Sequence, residues 1–143
     1  SESKAEYINT ANKIYVQTIG FLSRLSSRYS RLLATPVSML ASEVLDHAEK
    51  ANSIYPSDEQ RKELRKHHLL ESRAALMAPD VHLLQCYLIM LTNPEGCFTT
   101  ASGRNVSSSD AMKKLDHMSQ ELGELIDLED ALLKNVLKSD KKR

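Results

Sequence analysis

Apolar residues recur along most of this chain at steps of three and four, the spacing that lines one face of an α-helix. The first stripe is Ile8, Ala11, Tyr15, Ile19, Leu22, Leu25, Tyr29 and Leu32. It predicts a helix over 3–34, with Ser26-Ser27 as its weak point because serine hydroxyls compete for backbone hydrogen bonds. Thr35-Pro36 then reads as a helix start, a capping hydroxyl followed by proline at the first helical position. The stripe Val37, Ala41, Val44, Ala48, Ala51 and Tyr55 alternates steps of four and three, as in a bundle seam. Its alanines call for close approach of a neighbouring helix. Pro56 disfavours the helical state at Tyr55, which ends the second helix near 54.

Ser57 with Gln60 has the spacing of a capping box and opens a third helix over 58–92. Pro79 lies inside it, so a kink or break is expected near Ala75–Ala78. Up to Arg73 this helix is amphipathic. From Val81 it is apolar nearly all round, and such a helix has to be covered on every side. Val81, Leu84, Tyr87, Leu88 and Leu91 are therefore the candidate subunit interface. A long loop over 93–107 follows and holds two of the four glycines. Ser107 or Ser108 caps the fourth helix, 108–138, whose stripe is Ala111, Leu115, Met118, Leu122, Leu125, Leu132, Leu133 and Val136. Four amphipathic helices with two short connections predict an all-α fold, a single up-down-up-down four-helix-bundle domain over 1–143.

Composition narrows this further. A chain of 143 residues with 41% hydrophobic and 27% charged side chains has the makeup of a globular domain rather than a disordered one. Four glycines, four prolines, two phenylalanines and no tryptophan do not suit a β-sandwich or barrel, which needs a turn every 8–12 residues or so. Cys86 and Cys97 do not make a disulfide framework and read as free thiols of a reducing compartment. The N-terminus is polar, without the apolar segment of a signal peptide. The longest apolar run, Val81–Leu91, is 11 residues, well short of the roughly 20 that span a bilayer. A cytoplasmic protein with no membrane partner is the expectation.

Chemistry is sparse. Di-iron bundles use Glu-x-x-His on two helices, and none of His47, His67, His68, His82 and His117 has a glutamate three residues before it. His82 and Cys86, four apart, supply half a zinc site at most. Nucleophile elbows, P-loops and dinucleotide fingerprints are missing. Cys97, in the loop, is the more reactive-looking thiol, though nothing basic adjoins it. Neither metal nor cofactor is expected, and no motif among these residues argues for an enzyme. Glu129 falls at the centre of the helix-four stripe, where a carboxylate has to be paired, protonated or wet; Arg73 is a candidate partner.

Charge is balanced but uneven. Nineteen basic and 19 acidic side chains give zero net charge, yet residues 1–35 hold five basic and two acidic ones. Arg24, Arg28 and Arg31, with Lys13 near the same line, lie opposite the apolar stripe of the first helix. Arg61, Lys62, Arg65 and Lys66 form a second group at the start of the third. Helix four is acidic, with seven Asp or Glu against four Lys between Ser107 and Lys138. Both basic groups are candidate phosphate-contacting surfaces. An oligomer would multiply a modest stripe into a basic ring.

The order Tyr15, Phe21-Leu22, Arg28-Tyr29, then Ala51-Asn52-Ser53-Ile54-Tyr55-Pro56, then Arg65 and Glu71-Ser72-Arg73-Ala74, resembles a family of four-helix-bundle proteins. That family includes the 23S rRNA intervening-sequence proteins and the accessory variability determinants (Avd) of diversity-generating retroelements. The likeness runs from about Ala11 to Lys138. It implies a ring-like homo-oligomer, a pentamer in the family. The partners it implies are a reverse transcriptase and RNA or DNA, in support of mutagenic reverse transcription. The resemblance carries over no individual residue. The alternative left open is a helical protein–protein assembly module without nucleic-acid binding.

Overall fold

The computed structural model describes residues 2–99, 102, 104 and 106–142, with side chains for all of these except 2–5, 79, 80, 83, 86 and 95. It is all-helical: α1 spans Glu2–Arg24, α2 Ser27–Ser53, α3 Glu59–Thr92 and α4 Ser108–Lys141, with a short 3-10 turn at Pro94–Gly96. Helix α1 packs on α2 and α4, and α3 packs on the same two helices. Two buried clusters result. One joins Tyr7, Ala11 and Ile14 to Val44, Leu69, Leu76 and Leu133. The other gathers Phe21, Tyr29 and Val37 around Met90, Phe98 and Leu115.

The first helix boundary differs from the sequence expectation. The chain breaks at Leu25-Ser26 and not at Thr35, and Pro36 lies inside α2. Ser26 donates its amide to Cys97 O at 2.7 Å and its hydroxyl to Gly96 O, while Leu25 and Phe98 form an isolated antiparallel bridge. These long-range bonds satisfy the backbone at the serine pair, so the chain can turn there. Pro36 is tolerated because it and Leu32 both lie on the exposed face. Water can serve the Leu32 carbonyl that would otherwise bond residue 36.

The face that α1 turns inward also differs from the expected stripe. Its inward face is Tyr7, Thr10, Ala11, Ile14, Thr18, Phe21 and Leu22, whereas Ile19 is exposed, as is Leu32 on α2. The α2 stripe is buried from Val37 to Ala51, but Tyr55 beyond its end is exposed.

Asp58, not Ser57, is the N-cap of α3 and accepts the Arg61 amide at 2.7 Å. Ser57 Oγ instead accepts from the Arg61 guanidinium. Helix α3 runs through Pro79 as one 34-residue element, without the expected break. Ser107 caps α4 by accepting the Asp110 amide, and α4 reaches Lys141 rather than 138. The segment between α3 and α4 is more than a surface loop, because Cys97 and Phe98 are fully buried and Val106 donates its amide to Phe98 O. Phe21 meets Phe98 edge to face, ring centroids 6.0 Å apart. Residues 100, 101, 103 and 105 of that segment lie outside the described residues.

The second core therefore depends on a residue from a connecting segment. Phe98→Ala should destabilise the fold by about 3–5 kcal/mol, the range for a buried aromatic, when unfolding is followed in urea. A loss below about 1 kcal/mol would mean that the segment is not part of the core.

Candidate functional site

The second half of α3 carries the most conspicuous surface. Val81, Leu84 and Leu88 are each more than half exposed and Leu91 is 36% exposed, all four at alternating steps of three and four on one line. Met77, one step earlier, extends the same seam and is also exposed. Its spacing from Val81 was visible in the sequence and marks it as a member. Tyr87, grouped with these residues on pattern, is turned toward α4. Its hydroxyl donates to Asp116 Oδ1 at 2.7 Å, which leaves it half-buried. The bond ties α3 to α4 beside the seam, and the adjacent carboxylate raises the phenol pKa.

The basic residues separate into two places. Arg24 ends α1 and Arg28 and Arg31 begin α2, so the three flank the corner rather than line one helix. Lys13, Arg24, Arg28 and Arg31 are exposed, and among the described residues none of their side chains forms an ion pair. The second group stands at the other end of α2, about 40 Å away for a helix of 27 residues. There Arg61 is near Asp58, Lys62 bonds Glu59, and Lys66 is exposed.

Arg65 leaves the surface altogether. It is 1% exposed, donates Nε to Asp140 Oδ2 at 2.6 Å and Nη1 to Ala51 O at 2.9 Å. Its place in the helix phase, four residues before Leu69, puts it on the core line, and the Ala51 carbonyl at the end of α2 needs a donor. It fastens the α2–α3 turn to the end of α4 and does not belong to a phosphate-contacting surface.

Glu129 is fully buried on the α4 core face, and neither carboxylate oxygen has a hydrogen-bond partner. Arg73 does not reach it. Arg73 Nε donates to Asp130 Oδ1 at 2.7 Å, and Lys134 bonds the other oxygen of Asp130. Burial raises the Glu129 pKa to about 8, so the carboxyl is protonated at neutral pH. The two cations lower the Asp130 pKa despite partial burial.

The remaining candidate chemistry does not converge. Cys97 is buried, its pKa is raised by desolvation, and its Sγ lies 3.0 Å from Asn93 O, which makes it a packed core thiol rather than a reactive one. His82 is exposed, and the Cys86 side chain proposed to share its face lies outside the described residues. Among the described residues, no three His, Cys, Asp or Glu side chains converge on a point that could hold a metal. His47 and His68 stack across α2 and α3 with their Nδ1 atoms 3.1 Å apart, a contact that needs at least one neutral ring. Burial and the neighbouring cationic side chains lower the His68 pKa. No helix is long and apolar enough to cross a membrane among the described residues. No family model, curated protein or solved structure matches the chain.

Glu129 gives a signed pH dependence. Its folded pKa lies above its unfolded one, so stability falls as pH rises from the unfolded value toward about 8, at about 1.4 kcal/mol per pH unit. The accumulated loss is roughly 4–5 kcal/mol. Glu129→Gln should abolish this decline between pH 5 and 8.5 in urea unfolding series. Asp130 acts only at lower pH, where protonation removes its ion pairs. His68 has the opposite slope near and below pH 6.5. A wild-type curve as flat as that of Glu129→Gln over this window would show that Glu129 is solvated.

Proposed function

We propose that the protein is a non-enzymatic adaptor that assembles with copies of itself and holds nucleic acid on basic surfaces of the assembly. In this reading the four long helices form an up-down-up-down bundle over 1–143, and the copies close into a ring-like homo-oligomer, pentameric as in the family it resembles. The observation that carries the proposal is the exposed seam of Met77, Val81, Leu84, Leu88 and Leu91 on one continuous helix. Contiguous apolar surface of this kind on a soluble chain marks an interaction site. From 81 to 92 the helix contains no Asp, Glu, Lys or Arg, so covering it desolvates no charge.

Nucleic acid is supported by a second, local feature. Arg24, Arg28 and Arg31 stay exposed at one corner, with Lys13 exposed about three turns away along α1, and phosphate contacts need cations that are not already paired. The resemblance to accessory variability determinants suggests that the adaptor works in the cytoplasm alongside a retroelement reverse transcriptase. Mechanistically it positions template and enzyme by electrostatics and contact, without a chemical step of its own. Zero net charge favours a different outcome, an assembly module that ignores nucleic acid.

Light scattering after size exclusion, with and without a structured RNA, separates these readings. The expected result is a discrete oligomer that gains mass with RNA at low salt and loses it at moderate salt. Three to four phosphate contacts give a log–log salt slope of about −3. The triple variant R24E/R28E/R31E should lose RNA binding by at least tenfold and keep both its mass and its helicity. Binding that survives the triple change would place the nucleic-acid surface elsewhere. An oligomer indifferent to RNA at every salt would leave the assembly module.

A further inference from the structure

His47 on α2 and His68 on α3 face each other where the two helices pack, their Nδ1 atoms 3.1 Å apart. Each is half-buried. Two buried bonds between the same helices bracket the pair. On one side Ser72 Oγ donates to Val44 O at 2.7 Å, and on the other Arg65 Nη1 donates to Ala51 O at 2.9 Å. Val44 lies one turn before His47 and Ala51 one turn after it, so the backbone spacing at the histidines is fixed from both directions. Ala48 and Leu69, their neighbours in sequence, are packed in the first core. The same spacing suits a metal ion. Two nitrogens bound to one ion at about 2.0–2.1 Å stand about 2.8–3.4 Å apart at octahedral to tetrahedral angles. The ring planes lie 29° apart with centroids at 5.3 Å. A modest swing of each ring about its Cβ–Cγ bond aims both lone pairs at one point while the backbone stays in place.

We propose that His47 and His68 chelate a divalent transition-metal ion of the zinc, nickel and copper class through their Nδ1 atoms, clipping α2 to α3. Imidazole suits these ions, whereas magnesium and calcium are bound through oxygen ligands. No third His, Cys, Asp or Glu converges on the pair among the described residues, so the remaining coordination positions are open to water. The ion is therefore exchangeable, unlike that of a closed structural zinc centre. As a hydrogen-bonded pair, one Nδ1 donates to the other. On binding, the donor ring carries its proton on Nε2 instead, and both Nδ1 lone pairs face the ion. Neutral rings predominate at pH 7.5, above the ordinary histidine pKa of about 6.5. Glu71, one turn beyond His68, adds a negative charge that reaches the His68 ring, and Lys50 opposes it. The two ligands are 21 positions apart on different helices, so no motif within one helix marks them.

Titration calorimetry of the full, untagged chain with zinc chloride at pH 7.5, with magnesium chloride as the contrast, tests the site alongside thermal melting. One zinc per chain should bind with a Kd of about 1–100 μM, in keeping with roughly half the ligands of a closed zinc centre. Saturating zinc should raise the Tm by about 3 °C or more, and magnesium should leave it unchanged. His47→Gln and His68→Gln should each weaken zinc binding by about tenfold or more and remove the thermal shift, whereas His67→Gln, His82→Gln and His117→Gln should keep both. Circular dichroism reports the fold of each variant. Ring NMR of the wild-type chain needs no substitution: zinc should shift the His47 and His68 Nδ1 resonances ahead of those of the other three histidines. Zinc binding unchanged in both chelate variants, or ring shifts led by other histidines, would show an adventitious ion only and overturn the proposal. No zinc uptake up to millimolar concentration would overturn it too and leave the pair as a hydrogen bond.

Discussion

The arrangement of the whole chain depends on the corner at Leu25-Ser26. A continuous amphipathic helix was the local preference of this region, and the corner replaces it with two. What makes this favourable is that the broken backbone is repaired at long range: Ser26 bonds Cys97 and Gly96, and Leu25 pairs with Phe98. The same contacts carry Cys97 and Phe98 into the second core and order the start of the long connection between α3 and α4. Packing, helix boundaries and the positions of Arg24, Arg28 and Arg31 all follow from one set of bonds between segments some seventy residues apart.

The fold treats its buried polar groups in two ways. Arg65 is partnered through Nε by Asp140 and through Nη1 by the carbonyls of Ala51 and Ile54, with Nη2 and the second Asp140 oxygen left unbonded, so a buried guanidinium acts as a structural clamp where α2 ends and α4 finishes. Glu129 has no such partner and is held neutral by burial. Breaking a buried pair by removing one member is strongly destabilising, so the Arg65–Asp140 contact ties the α2–α3 turn to α4. The level of Glu129 is poised differently, since one proton separates a packed core from a buried charge.

Periodicity made the helices legible wherever one phase persists. The α2 stripe from Val37 to Ala51 and the α4 stripe around Leu115, Leu122 and Leu133 are buried as their spacing requires. It misled at the first boundary, because Ser26-Ser27 and Thr35-Pro36 are both plausible breaks locally and only the distant Cys97–Phe98 segment decides between them. It also misplaced Arg65, whose charge suggested the surface while its phase, in step with Leu69 and Leu76, put it inside. Of the surface features, the α3 seam was readable as an uninterrupted apolar run.

These placements bear on the proposal that a neutral chain holds nucleic acid. The two basic groups stand at opposite ends of α2, and the one near the α2–α3 turn is reduced by the burial of Arg65 and by the acidic partners of Arg61 and Lys62. A single copy therefore offers three exposed cations at one corner, with Lys13 farther along α1, enough only for weak, salt-sensitive contact. When copies are joined, each corner raises the effective phosphate-binding capacity of its neighbours, and avidity grows without any new contact. In the proposed adaptor, assembly through the α3 seam is thus the condition for nucleic-acid binding and not a separate property. In that proposal zero net charge adds no repulsion between copies, and the attraction to phosphate rests on the local imbalance at each corner.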